Sequence, residues 1–318
     1  MEKVLARYVG RLAPSPTGAL HLGNVRTFMI AFLRARSQGG KLLMRMEDLD
    51  HPKDKIGAAA AALEDLRWLG FDWDEEYVQS ERKAIYAEAT ESLFRRGLIY
   101  PCVCSRRDVE AAQSAPHAGE QLYYPGTCRD RFRSWDEAAA VRPPCWRFRV
   151  PENAVIAFDD VFAGTFEQNV SKTLGDFPLA RDRGGAGYTL AATIDDLLMG
   201  VTEVVRGDDL LPATSAQILL ASALRAEKPK IGPSPDYLHL PLVVGPDGRR
   251  LAKRHGDTRI ASYRASGVSA GKILGFLAAS CGLCPYGEEV SLEQLLPGFA
   301  LTKKEAWTNC LADGCDFF

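Results

Sequence analysis

The sequence predicts an α/β fold in which a doubly wound parallel sheet is split by an α+β insertion and followed by a short helical C-terminal segment. Three observations predict it. Strand-like apolar runs alternate with stretches of helical spacing at both ends of a 318-residue chain, the order expected of a parallel sheet covered by helices. That rhythm breaks between residues 98 and 185, where cysteines, prolines, glycines, arginines and short pieces such as "CWRFRV" take over. Beyond residue 265 the spacing is helical without a further strand.

The elements follow in order. Residues 8–12 are short and apolar enough for a buried strand, and Pro14 and Pro16, which cannot donate to a ladder, end it. Gly18 and Gly23 leave room for close approach of a ligand to the backbone. Over 24–37 the apolar Val25, Phe28, Met29, Phe32 and Leu33 recur at helical spacing. A strand, a tight turn and a helix N-terminus together make a place for an anion. "KLLMRMEDLD" reads as a second buried strand that ends in Glu47, Asp48 and Asp50, with helices following at about 54–69 and 81–97. The αβ rhythm resumes with "GYTLAATIDDLLMG", "VTEVVRG", an amphipathic helix near 210–224 and the strand-like "YLHLPLVV", which runs into the loop "GPDGRRLAKRHGD". Residues 1–101 and 186–265 thus read as two halves of a Rossmann-like domain, 102–185 as the insertion and 266–318 as the helical tail.

Composition narrows the function classes. The net charge of −2 gives no general attraction for nucleic acid, so an RNA partner has to be met by local patches. No apolar run approaches membrane-spanning length and the N-terminus carries no signal-peptide pattern, so a cytoplasmic protein without a membrane partner is expected. In that compartment the eight cysteines point to metal binding or core packing before disulfides. "CVC" and "YYPGTC" supply Cys102, Cys104, Tyr124 and Cys128 as candidate ligands, with His117 as an alternative fourth donor. Three unliganded thiols are the plain alternative. "CGLC" at 281–284 sits in an apolar helical stretch, where buried thiols are the simpler reading than a second metal site with Cys310 and Cys315.

His21 and Asn24 are three positions apart, and at a helix start they share one face. Each alone is common, as is a basic loop such as "RRLAKRHG" at 249–256. As an ordered pair, "HLGN" and "RLAKR" resemble the two signatures of class I aminoacyl-tRNA synthetases. "RLAPSPTGALHLGNVRT", "RMEDLD", "TEVVRGDDL" and "LAKRHG" look like the glutamyl branch. The pattern departs in three places: Asn24 stands for the second histidine, Arg250 for the first lysine and Ala252 for the serine.

The resemblance implies that ATP, with Mg²⁺, meets His21, Gly23, Asn24, Arg250 and Lys253, and that His21, Asn24 and Lys253 serve catalysis by stabilising charge on the phosphates. It implies a glutamate pocket of Arg11, Ala13, Ser15, Glu47, Tyr188 and Arg206. It also implies one structural Zn²⁺ on Cys102, Cys104, Tyr124 and Cys128. The short segment after the lysine loop is similar to that of truncated members of the branch, which activate L-glutamate without tRNA. These pass it to queuosine at the wobble position of aspartate tRNA, meeting the anticodon stem-loop, and a monomer is expected. Two alternatives stay open: a truncated or split synthetase charging the tRNA 3′ end, and a non-catalytic zinc and RNA-binding module.

Overall fold

Strands that must be buried on both faces read as nearly continuous apolar runs, and such runs form the centre of this molecule. The computed structural model describes residues 8–16, 19–49, 57–112, 122–182, 185–227, 231–244 and 258–308. β1 (Val9–Leu12), β2 (Lys41–Met46) and β3 (Glu75–Val78) pair in parallel. They are joined by α1 (Leu22–Ser37) and α2 (Ala58–Trp68). α1 begins two residues earlier than its apolar spacing predicts. Just past its end Gly39 takes a left-handed φ of 59°, and the Gly39 and Gly40 N–H groups bond back to Arg36 and Ala35.

α3 (Lys83–Arg95) leads into the cysteine-bearing part of the chain. There β4 (Ile99–Cys102), β5 (Cys145–Phe148) and β8 (Pro178–Ala180) make a small antiparallel sheet, with α4 (Arg106–Ala112) and α5 (Trp135–Ala139) between its first two strands. β6 (Val155–Asp160) and β7 (Gly164–Asn169) form a hairpin followed by the single turn α6 (Val170–Thr173). Then come α7 (Tyr188–Leu198), β9 (Glu203–Gly207), α8 (Leu211–Arg225) and β10 (Asp236–Leu240).

Two corrections to the predicted fold arise here. The expected single parallel sheet is two laddered sheets, β1-β2-β3 and β7-β6-β10-β9, the second with an antiparallel edge. β1 and β9 lie side by side at the seam, where Thr202 N donates to Val9 O at 2.9 Å. Farther along, Arg11 Nη1 reaches Val205 O at 2.9 Å in place of a ladder bond. The second concerns the segment 102–185, part of which joins the second sheet. β6 and β7 lie within it, yet β6 pairs in parallel with β10 and Phe158 packs 5.7 Å from the Tyr237 ring.

α9 (Ile260–Ala265), α10 (Ala270–Ser280) and α11 (Leu292–Leu295) complete the described chain. Ser269 Oγ caps α10 by accepting from Lys272 N at 3.1 Å. Ile273, Leu274, Leu277 and Cys281 share one core with Val25, Met29 and Leu33 of α1. Arg26, 2% exposed, ties these parts together: it donates to Pro241 O and, at 3.3 Å, to Thr308 O, and lies 5.2 Å from the Trp307 ring. Among the described residues, no helix is long and apolar enough to cross a membrane.

Candidate active site

The seam between β1 and β9 opens at their C-terminal ends into a cavity of about 500 Å³, the place where doubly wound folds receive ligands. Arg11, Ala13, Ser15, His21, Gly23, Asn24, Glu47, Tyr188 and Arg206 all line it. The predicted Arg250 and Lys253 lie outside the described residues. The flanks of their loop are described: Val243 lines the cavity, and Thr258 O accepts from Leu22 N at 3.2 Å at the entry to α1.

His21 caps α1. Its backbone N–H donates to Asn24 Oδ1 at 3.4 Å, so the Asn24 carbonyl oxygen is engaged within the chain. The Asn24 NH₂ end is the one that can donate to a phosphate. Gly23 lines the cavity beside the His21 ring, where a Cβ would make ordinary van der Waals contact at 3.4 Å.

On the β1–β2 wall, charges are balanced in a buried network. Arg45 is fully buried and donates to Asp196 at 2.6 Å and to Glu47 at 3.0 Å. Arg11 Nε lies 3.5 Å from the same Asp196. Burial raises the Glu47 carboxyl above its ordinary value, against the opposing pull of Arg45 and Arg11.

The β9–β10 wall differs. Arg206 donates through Nε to His239 Nε2 at 2.9 Å, through Nη1 to Tyr188 Oη at 3.1 Å and through Nη2 to Thr214 Oγ1 at 2.6 Å. Its guanidinium stands 5.4 Å from the Tyr237 ring. Behind it, His239 Nδ1 is 2.6 Å from Asp160 Oδ2. Despite burial, the His239 contact and backbone N–H groups hold the Asp160 carboxyl below its usual range, while burial pushes the His239 imidazole down.

The thiols of Cys102, Cys104 and Cys128 converge within 4.8 Å of one another on the antiparallel module. Tyr124 Oη is 3.3 Å from Cys102 Sγ and 3.7 Å from Cys104 Sγ, and it accepts from Cys128 N at 2.8 Å. Tetrahedral zinc with Zn–S bonds of about 2.3 Å needs donors spaced by about 3.8 Å, so these four side chains are compatible with that ion. Arg147 Nε donates to Cys102 Sγ at 3.2 Å and its guanidinium covers the Tyr124 ring at 3.9 Å. His117, Cys310 and Cys315 lie outside the described residues. Cys281 is buried, and Cys284 is half-buried with Sγ 3.5 Å from Gly275 O, the environment read for core thiols.

Residues 7–293 match the catalytic domain of "tRNA synthetases class I (E and Q)". The chain belongs to this family. As a class I tRNA synthetase of the E and Q type, it is 45% identical over 306 residues to the glutamyl-Q tRNA(Asp) synthetase of Rhodopirellula baltica, covering 92% of this chain and 91% of that one. It is similarly 45% identical over 307 residues to the protein of that name in Symbiobacterium thermophilum, covering 92% and 93%. Its fold is similar to a glutamate tRNA ligase of Elizabethkingia meningosepticum in complex with its amino acid, with a TM-score of 0.79 and 28% identity over 96% of this chain and 67% of that one.

Sequence reasoning missed the residues that hold this synthetase cavity in shape. For Arg45 and Asp196 the available signals are a cation inside "LLMRM" and an acid pair inside an apolar helix, both marks of buried pairing. For Asp160, Thr214 and His239 the one cue is a lone histidine inside "YLHLPLVV".

Proposed function

We propose that the protein activates L-glutamate with ATP to glutamyl-adenylate without tRNA. The glutamyl group then passes to the queuosine base at the wobble position of aspartate tRNA, within the anticodon stem-loop. The observation that carries this reading is the 45% identity to a glutamyl-Q tRNA(Asp) synthetase across nine-tenths of both chains. The cavity chemistry supports it independently.

In the proposed reaction the amino acid's α-carboxylate attacks the α-phosphate of ATP in line and pyrophosphate leaves. Arg11 and Arg206 suit the two carboxylates of glutamate, Glu47 its ammonium, Ser15 adds a hydroxyl donor, and Ala13 and Tyr188 bound the pocket. His21, the Asn24 amide and the N-terminus of α1 would face the phosphates over Gly23, with Arg250 and Lys253 meeting the growing negative charge. Mg²⁺ would accompany the nucleotide. Cys102, Cys104, Tyr124 and Cys128 would hold one structural zinc and fix the module around it. We assign 1–101 and 186–265 to the catalytic domain with the hairpin β6–β7 added to its sheet. The rest of 102–185 forms the zinc module and 266–318 the helical tail. A cytoplasmic monomer fits these partners.

Glutamate-dependent ATP–pyrophosphate exchange, with and without tRNA, tests the reading. Exchange without tRNA, followed by labelling of queuosine-containing aspartate tRNA, is the expected result. Exchange only with tRNA would favour a synthetase charging the 3′ end, a reading that the likeness to a glutamate tRNA ligase supports. No exchange in either condition would favour a binding module.

A further inference from the structure

We propose that Asp160 and His239 are positioning residues for glutamate recognition, acting through Arg206. The proposal rests on the glutamate-activating reading above. Arg206 is 5% exposed and sits at the cavity wall, yet among the described residues no carboxylate forms an ion pair with it. Its three protein partners, His239, Tyr188 and Thr214, are all neutral acceptors. A guanidinium has five N–H groups and no acceptor, so the remaining two and the whole positive charge are kept for a ligand anion.

The imidazole makes this possible. Arg206 Nε can only donate, so His239 Nε2 must accept and its ring proton must sit on Nδ1. Asp160 Oδ2, 2.6 Å from Nδ1, enforces that tautomer. Asp160 is itself immobilised: its Oδ1 accepts from Phe162 N at 3.0 Å and Ala163 N at 2.7 Å, and its carboxylate also accepts from His239 N at 3.0 Å. Thr214 Oγ1, 3.0 Å from Nε2, closes the set. A carboxylate in direct contact would have fixed Arg206 equally well but neutralised it. A neutral ring between carboxylate and guanidinium fixes the orientation and leaves the charge unspent for substrate.

Two isosteric substitutions separate this role from simple packing. In His239→Asn the amide reaches only the Nδ1 position, so it can meet Asp160 but offers Arg206 no acceptor. In His239→Gln the amide reaches the Nε2 position and restores one. ATP–pyrophosphate exchange should show a glutamate KM raised by about tenfold or more in His239→Asn, with the ATP KM nearly unchanged, and recovery of most of that loss in His239→Gln. The glutamate-induced rise in melting temperature should follow the same order, while the ligand-free melting temperature reports folding. Asp160→Asn should raise the glutamate KM in the same direction by less. In the parent protein, ¹⁵N NMR should find His239 as the Nδ1–H tautomer at neutral pH, a readout that needs no substrate. Parental glutamate KM in both His239→Asn and Asp160→Asn, or the Nε2–H tautomer, would overturn the positioning role. A parent protein that neither exchanges nor melts higher with glutamate would overturn the glutamate reading and the proposal with it.

Discussion

The two walls of the cavity hold their arginines in opposite ways. On the β1–β2 side, Arg11 and Arg45 share Asp196, and Arg45 also takes Glu47, so cations and carboxylates are matched inside the protein. On the β9–β10 side, Arg206 meets only neutral acceptors among the described residues, and the nearest carboxylate in that chain of contacts stands one imidazole away. The difference teaches where stability ends and recognition begins. Arg45 and Asp196 pair to hold the seam while Arg11 and Glu47 of the same network also line the cavity, whereas Arg206, among the described residues, is held by neutral groups alone.

The largest effect should come from breaking the matched wall. Arg45→Met leaves Asp196 and Glu47 buried without their main partner and should cost about 3 to 5 kcal/mol of folding stability, read by urea denaturation. Arg206→Lys should break the other wall with the opposite signature. Lysine cannot reproduce the planar fork, so kcat/KM for glutamate in the exchange assay should fall about a hundredfold while denaturation shifts far less than in Arg45→Met. Equal stability losses in the two variants would erase the distinction between the walls.

A smaller change should sharpen the comparison by sparing both walls. Strong chelation, or Cys104→Ser, should take bound zinc from about one ion per chain to near none. Metal analysis reads this directly, and the glutamate KM should stay close to parental. The smallest effect is one of pH. Burial raises the Glu47 carboxyl, so as pH falls it takes up a proton earlier than an ordinary glutamate and gives up the charge that we propose meets the substrate ammonium. Glutamate KM should therefore rise on acidification, by at most about tenfold per pH unit below the shifted value, and Glu47→Gln should flatten that limb. The same shift has the opposite sign for stability. The folded state binds the extra proton, so this group's contribution declines as pH climbs from its unfolded to its folded value.

Legibility in the sequence divides along similar lines. His21, Gly23 and Asn24 belong to one short motif at a helix start, Arg11 and Arg206 could be named only through the family resemblance, and the fold gathers all five into one cavity. Cys102, Cys104 and Cys128 stand close enough in the sequence to suggest a cluster, and their thiols do converge, with Tyr124 beside them. The β6–β7 hairpin was not legible, because alternation predicts a strand but does not say which sheet it joins. Asp160 and His239 lie 79 residues apart and meet only because β6 runs beside β10. A partnership that depends on strand order leaves no trace in spacing.

Arg26 carries a consequence for handling the protein. It follows the Asn24 signature by two positions, and its guanidinium bridges the strand end at Pro241, the carbonyl of Thr308 and the face of Trp307. The tail is thus a buttress for the α1 side of the cleft. Trimming the chain short of Trp307 would take away its support, and an affinity tag is better attached beyond that residue through a flexible spacer than fused against it.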